Sequence, residues 1–264
     1  MALQKEIWLA DIVEPLFAQN TFAARSIDHS AFVGGRTVHV PNAGTPPSVQ
    51  KNRSAFPATA AQRADADLDY QIAEYTTDPV HVPNADQVEL AYDKRMSVLA
   101  QLRAALADKV HTDLLQTWAD GAPSDALSAA AFSKDSVLEI MSAFNQQDIP
   151  QEGRCILLSA TQYANLLKSL TNFEGQSFLA AANAQTGVVG RIYGFDVYQR
   201  SQTPQDTCGL AWQQDCVSRA LGQTELFTDD QNPLYYGDIF SALVRAGGSV
   251  VRSDKKGVLK IAAA

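Results

Sequence analysis

Four histidines, three cysteines, an Asp-His-Ser tripeptide and one compact acidic cluster are the residues here whose types could do chemistry. His29, His39, His81 and His111 contain no pair four positions apart, the spacing that sets two imidazoles on one helix face for zinc. His39 and His81 are each the second residue of a repeated hexapeptide, VHVPNA, at 38–43 and 80–85. As strand residues both are expected to face solvent, and a metal between them lacks an evident third ligand. Asp28-His29-Ser30 spells the members of a hydrolase triad, but a triad is assembled from separated elements, and adjacent side chains do not converge. DADLD at 65–69 opens like a calcium loop, yet Tyr70 and Thr76 stand where that loop needs glycine and glutamate. A strand with a carboxylate-lined face is the expectation. Cys155, Cys208 and Cys216 are odd in number and lack metal-type spacing, which suits free thiols in a reducing compartment. The nucleotide, hydrolase and redox motifs GxGxxG, GxxxxGK[ST], GxSxG and CxxC are absent. No catalytic residue, cofactor or metal is expected.

The bulk composition points the same way. The 264 residues are 46% apolar and 19% charged, suited to one large or two ordinary domains. A net charge of −8 lacks the basic footprint of a nucleic-acid binder. Lys51 with Arg53, and Lys255 with Lys256, are small basic clusters fit for rim contacts with an acidic neighbour. Glu6, Asp11 and Glu14 interrupt the N-terminal apolar residues, so that segment does not read as a signal peptide. No stretch approaches the roughly 20 apolar residues that span a bilayer, and assembly in a cytoplasm is expected.

Residues 1–30 read as an arm. Leu9, Ile12, Val13, Leu16 and Phe17 fall at helical spacing, but Pro15 interrupts, and so short a segment needs a partner surface. Residues 31–86 read as an extended hairpin. VHV predicts a strand, 44–66 is a polar excursion with three prolines, and LDYQIAEYTTDPVHV alternates again. The two VHVPNA copies then mark the hairpin's feet near 38–43 and 80–85, unless the repetition is coincidental. From Val88 to Trp118 a helix of about 45 Å is predicted, with Leu99, Leu102, Leu106, Val110, Leu114 and Trp118 as its core stripe. Ser133 is the expected cap of a helix over KDSVLEIMSAFNQQ. RCILLS predicts a buried strand, with a helix capped by Ser159 or Thr161 after it. Residues 171–187 read as a mobile loop, GRIYGFDVYQRS as one strand, and the end as a short helix, a glycine break and two strands.

That order of parts resembles the major capsid proteins of tailed bacteriophages with the Hong Kong 97-like fold. The stretches VHVPNAG with its polar excursion, YTTDPVHVPNADQVELAYDKR, IPQEGRCILLSATQYANLL, VGRIYGFDVYQRS and AGGSVVRSDKKGVLKIAA carry the resemblance, which spans essentially the whole chain. They look similar to stretches in capsid proteins of phages infecting Bacteroidetes-type hosts. The resemblance implies an α+β fold with an N-arm (1–30) and an extended two-stranded E-loop (31–86). It further implies a P-domain spine helix (87–126), an A-domain (127–237) and returning P-domain strands (238–264). It implies self-assembly into pentamers and hexamers of an icosahedral head around double-stranded DNA, with only weak, non-specific DNA contact. A separate scaffolding protein, a portal protein and in some systems a decoration protein are the implied partners, no membrane is, and the virion capsid is the implied location. Lys51, Arg53, Phe56 and Arg63 are then the implied inter-subunit contacts of the E-loop. Covalent Lys–Asn joining, known in some members, is not indicated. Two other readings stay open: an encapsulin-like protein compartment shell, and an α/β enzyme or ligand-binding protein with a flap at 44–66.

Overall fold

The computed structural model describes residues 21–42, 49, 51–54, 66–83, 94–123, 126–129 and 131–263. Its longest helix, α1 (Lys94–Gly121), runs 28 residues, about 42 Å at 1.5 Å per residue. Apolar side chains at 98, 99, 102, 106, 110, 114 and 118 recur every three or four positions, so one stripe is buried along the helix.

The first half of that stripe lies on a five-stranded sheet. Its long hairpin pairs β12 (Val217–Asn232) with β13 (Gly237–Val250), and β1 (Ile27–Asp28) joins β12 in parallel. The other edge of β13 carries two short antiparallel strands, β5 (Ala73–Thr76) and β6 (Val80–Pro83). Phe240, Ala242, Val244 and Ala246 alternate along β13 and meet Val98, Leu102, Leu106 and Val110 from above. Gly248 lies where α1 comes closest: a Cβ there would collide with the Leu114 side chain and the Ser218 carbonyl. The Gly247-Gly248 pair is therefore mid-strand, not the expected break. The short helix expected before it is also absent, because residues 237–250 obey a two-residue burial period that only a strand satisfies.

The second half of the stripe belongs to another core. A six-stranded sheet runs in the order β7 (Ala126–Ala129), β14 (Val258–Ala263), β11 (Thr207–Gln213), β8 (Arg154–Leu158), β10 (Phe195–Gln199), β9 (Gly190–Ile192). All five residues of β8 are buried, as a continuous apolar run requires. Helices α2 (Lys134–Gln146), α3 (Ala160–Ser169) and α4 (Asn172–Ala180) accompany it. Ser133 is the N-cap of α2, and the Ser159 hydroxyl accepts the Gln162 N–H at the start of α3.

Several expectations are corrected here. Helix α4 occupies part of the segment expected to be a mobile loop; Glu174 accepts the Thr171 N–H at 2.9 Å, the reciprocal cap that starts it. GRIYGFDVYQRS folds as two strands, turned at Tyr193-Gly194 with φ of 47° and 84°. The expected boundaries at 127–237 and 238–264 do not follow the sheets: β12 pairs under α1, while β14 returns to the other sheet. The expected arm to residue 30 is shorter, since Phe22 packs edge-on against His111, Trp118 and Trp212 at 5.4, 6.0 and 6.2 Å. Phe22 and Ala23 thus belong to the subunit's own core.

The third sheet is small: β2 (Val33–Gly34), β3 (Thr37–Asn42) and β4 (Ala66–Gln71). The first VHVPNA copy lies in β3 and pairs with β4, Val38 facing Tyr70 and Pro41 facing Asp67. The second lies in β6 and pairs with β13. The two copies are thus not the feet of one hairpin; the return strand is Ala66–Gln71. Each copy ends a strand at a position where proline's missing N–H is tolerated: Pro41 beyond the reach of β2, Pro83 on a sheet edge.

Candidate subunit-contact surfaces

Three places on the surface are built to meet something. The first is the β3–β4 hairpin. Its base is held by Val38 and Ile72 packed on Ala220 of β12, all buried. Beside them Tyr70 takes a hydrogen bond from the Ser218 hydroxyl at 3.3 Å and lies 3.3 Å from Nδ1 of His29. His29 is buried, and desolvation holds its imidazole below the ordinary value while the Asp28 carboxylate pulls the other way. Farther out, His39 and Asp69 pair across the strands at 2.8 Å, both solvent-exposed. At the base Glu74 receives Arg245 at 2.9 Å and Arg36 at 3.2 Å, and these hydrogen-bonded guanidiniums hold its carboxyl below the usual range. Between the two strands Lys51 and Asn52 form a turn, Asn52 at φ 53°, with Lys51 exposed and Arg53 half-buried. Phe56 and Arg63 lie outside the described residues.

The second surface is the end of the six-stranded sheet at β9 and α4. Phe173 is 81% exposed, with Leu179 and Tyr193 also open to solvent. Phe173, Phe178, Ile192 and Tyr193 line a groove of about 250 Å³, with Arg191 and Glu174 at its margin. Arg191 is fixed by a 2.6 Å contact to Asp196, a buried carboxylate that also receives Arg25 at 3.5 Å.

The third is the end of the β12–β13 hairpin. Leu234 and Tyr236 are 82% and 80% exposed. The turn beneath them is tightly held: the Asn232 side chain accepts the Leu234 N–H at 2.8 Å, and the buried Asp238 accepts the Gln231 N–H at 2.8 Å. Tyr235 leans on the His81 ring, centroids 5.8 Å apart. This tip was not singled out from sequence, and the α4 surface was noted only as part of the 171–187 loop. NPLYYG carried a readable signal, a turn phrase enclosing three large side chains that no alternating pattern could bury.

The stripe residues Leu99, Leu102, Leu106, Val110, Leu114 and Trp118 are all buried, and the Trp118 indole donates to the Ser218 carbonyl at 2.9 Å. The histidines do not converge: His39 and His81 stand on different sheets, and His111 packs against Phe22. Among the described residues no cluster of His, Cys, Asp or Glu has the geometry to hold a metal ion. The three cysteines are free and buried, and burial pushes the Cys216 thiol up to about 11 and Cys155 higher still. No helix among the described residues is long and apolar enough to cross a membrane.

No family model matches the chain, and no curated protein matches it in sequence. Its fold does have relatives among solved structures. The capsid of cyanophage P-SCSP1u superposes with a TM-score of 0.70 at 14% identity, over 91% of this chain and 86% of that one. A Mycobacterium phage Che8 structure gives 0.66 at 17% identity, over 91% and 90%. A virus-like particle from Pyrococcus furiosus gives 0.65 at 10% identity, over 98% and 99%. The class defined by this architecture is α+β. The particular arrangement is the Hong Kong 97-like capsid fold.

Proposed function

We propose that the chain is a structural major capsid protein, a subunit that assembles with copies of itself into the icosahedral head of a tailed phage. The observation that carries the reading is the breadth of the likeness: capsid structures from cyanophage, Ralstonia phage and other sources match over nine-tenths of the chain. The surfaces support it. An outreaching hairpin and two exposed apolar tips make poor sense on a monomer and good sense on a tile. In this reading β3–β4 with its excursion is the E-loop, α1 with the five-stranded sheet is the P-domain, and the six-stranded sheet with α2–α4 is the A-domain. Residues before Phe22 are the N-arm. Lys51, Arg53, Phe56 and Arg63 make inter-subunit contacts, and the α4 tip faces the centre of a pentamer or hexamer. The role is structural rather than catalytic. The acidic balance suits a shell that touches packaged double-stranded DNA weakly and without sequence preference. A separate scaffolding protein and a portal complete the assembly in the bacterial cytoplasm, with a decoration protein as an optional addition.

A second reading has its own support. The Pyrococcus furiosus particle matches almost end to end, and a protein compartment uses the same subunit around a protein cargo. Negative-stain microscopy with light-scattering mass on the purified protein tests both. Closed particles, rings or tubes are expected, and the 260/280 nm absorbance ratio separates a DNA container from a protein one. A small monodisperse oligomer under every condition would overturn the shell reading.

A further inference from the structure

The five-stranded sheet carries both a knob and a hole. The β12–β13 tip presents Leu234 and Tyr236 on a turn pinned by Asn232 and Asp238. Farther along the same sheet, α1 and the strands β5 and β6 leave an open, largely apolar groove of about 560 Å³. Tyr75, Val80, Val98, Leu102, Ala105 and Leu106 line it. Among the described residues no strand pairs with the outer edge of β5 or β6. We propose that the Leu234–Tyr236 tip of one copy seats in the α1–β5–β6 groove of a second copy. The inference rests on the shell-subunit reading and names one contact within it.

Geometry excludes the tip's own groove. The hairpin is paired up to Asn232 and Gly237, and Gly237 is in turn paired with Pro83. Val80, at the groove's near end, pairs with Phe240, three residues or about 10 Å along β13. A tip held so rigidly points off the sheet and cannot fold back. Tip and groove lie on one sheet, the groove running from Val80, which pairs with Phe240, to Glu74, which pairs with Arg245, so two copies set antiparallel each offer the other a knob and a hole. An aromatic side chain alone buries about 150–250 Å², so two reciprocal seatings with their leucines, counted together with the groove surface they cover, reach on the order of 1,200 Å², the lower bound of a specific interface. The electrostatics allow it. Glu74 is already engaged by Arg36 and Arg245, and Lys109 by Asp113, so an uncharged knob strands neither charge at the rim.

The test is a cysteine pair, Tyr236→Cys with Ala105→Cys, in assembled particles under mild oxidation; both positions are exposed and the native thiols are buried. Non-reducing electrophoresis should show covalent dimers with no ladder beyond them for the double variant, since a reciprocal contact closes on two copies, and monomer for each single variant. Cross-linking by Tyr236→Cys alone would mean that tip meets tip and would overturn the proposal. Normal particles of the double variant that stay monomeric on the gel would do the same. A Leu234→Ser/Tyr236→Ser variant guards against a failed cysteine pair. It should keep the native melting temperature, since neither side chain is buried, while particle yield falls at least tenfold; undiminished yield would sink the contact. If the native chain itself forms no particles, the shell reading fails first and this contact with it.

Discussion

At the scale of single residues, His29 is a buried titratable side chain at a junction of elements. It sits where β1, the hairpin base and β12 meet, with Tyr70 and Phe32 around its ring, and the neighbouring Asp28 carboxylate, itself paired with Arg219, acts on it. Its native value lies below 6.5, so the neutral ring is the folded form. The stability that this contributes is complete above about pH 6.5 and is lost as pH falls through that value toward the lowered native one. The native protein should therefore lose melting temperature between about pH 7 and 5 more steeply than a His29→Gln variant. Parallel curves would assign the loss to other groups. Arg154 makes a second residue-level case. Its guanidinium donates to Pro150 and Ile149 carbonyls and to Asn145, and lies 5.6 and 5.7 Å from the Phe144 and Phe195 rings. Lysine keeps the charge but not the planar fork, so Arg154→Lys should cost about 1.5–3 kcal/mol in denaturant unfolding.

At the scale of elements, α1 and the β3–β4 hairpin separate subunit stability from assembly. Leu102→Ala or Leu106→Ala empties part of a filled core and should cost roughly 2–5 kcal/mol by thermal or urea unfolding. Gly248→Ala pushes a methyl against Leu114 and should cost about 1–3 kcal/mol, although alanine is the better residue for most backbones. Deleting 46–62 should do the reverse: a folded, soluble subunit with an unchanged melting curve that no longer closes shells in the microscope. The contrast also explains what was legible beforehand. The 3.6-residue period of α1, the apolar run of β8 and the cap at Ser133 are local signals, each written within a few adjacent residues. The pairing of Val38 with Tyr70 rather than with a second VHV is not local, because both strands alternate alike and only burial on Ala220 chooses the partner. Strand β13 was misread for a similar reason: its glycines weaken a strand in isolation and are acceptable only beneath a helix that comes this close. Helix α4 was legible in principle, since Thr171 and Glu174 form its cap, but its small and polar residues carry no apolar stripe.

At the scale of the whole molecule, the fold was readable from the order of its parts, and the exposed apolar tips were not. A core must be periodic to be buried, whereas a tip such as Leu234–Tyr236 obeys no period, being selected by a shape on another chain. Burial likewise keeps all three thiols in the protonated form at neutral pH, so shells of this subunit should be indifferent to reductant. Particle yield measured with and without dithiothreitol should be equal, and a loss on reduction would reveal a covalent link that the buried cysteines do not offer.

Helix α1 enters one core with Val98–Val110 and another with Leu114–Ala119. Mechanically the subunit is two blocks threaded on one rod, with the Phe22 plug wedged at the joint between them. A tile of that kind need not repack either block to sit in a flatter or a more curved part of a surface. A bend of a few degrees in the rod near His111 would change the angle between the two blocks while leaving each core packed as it is.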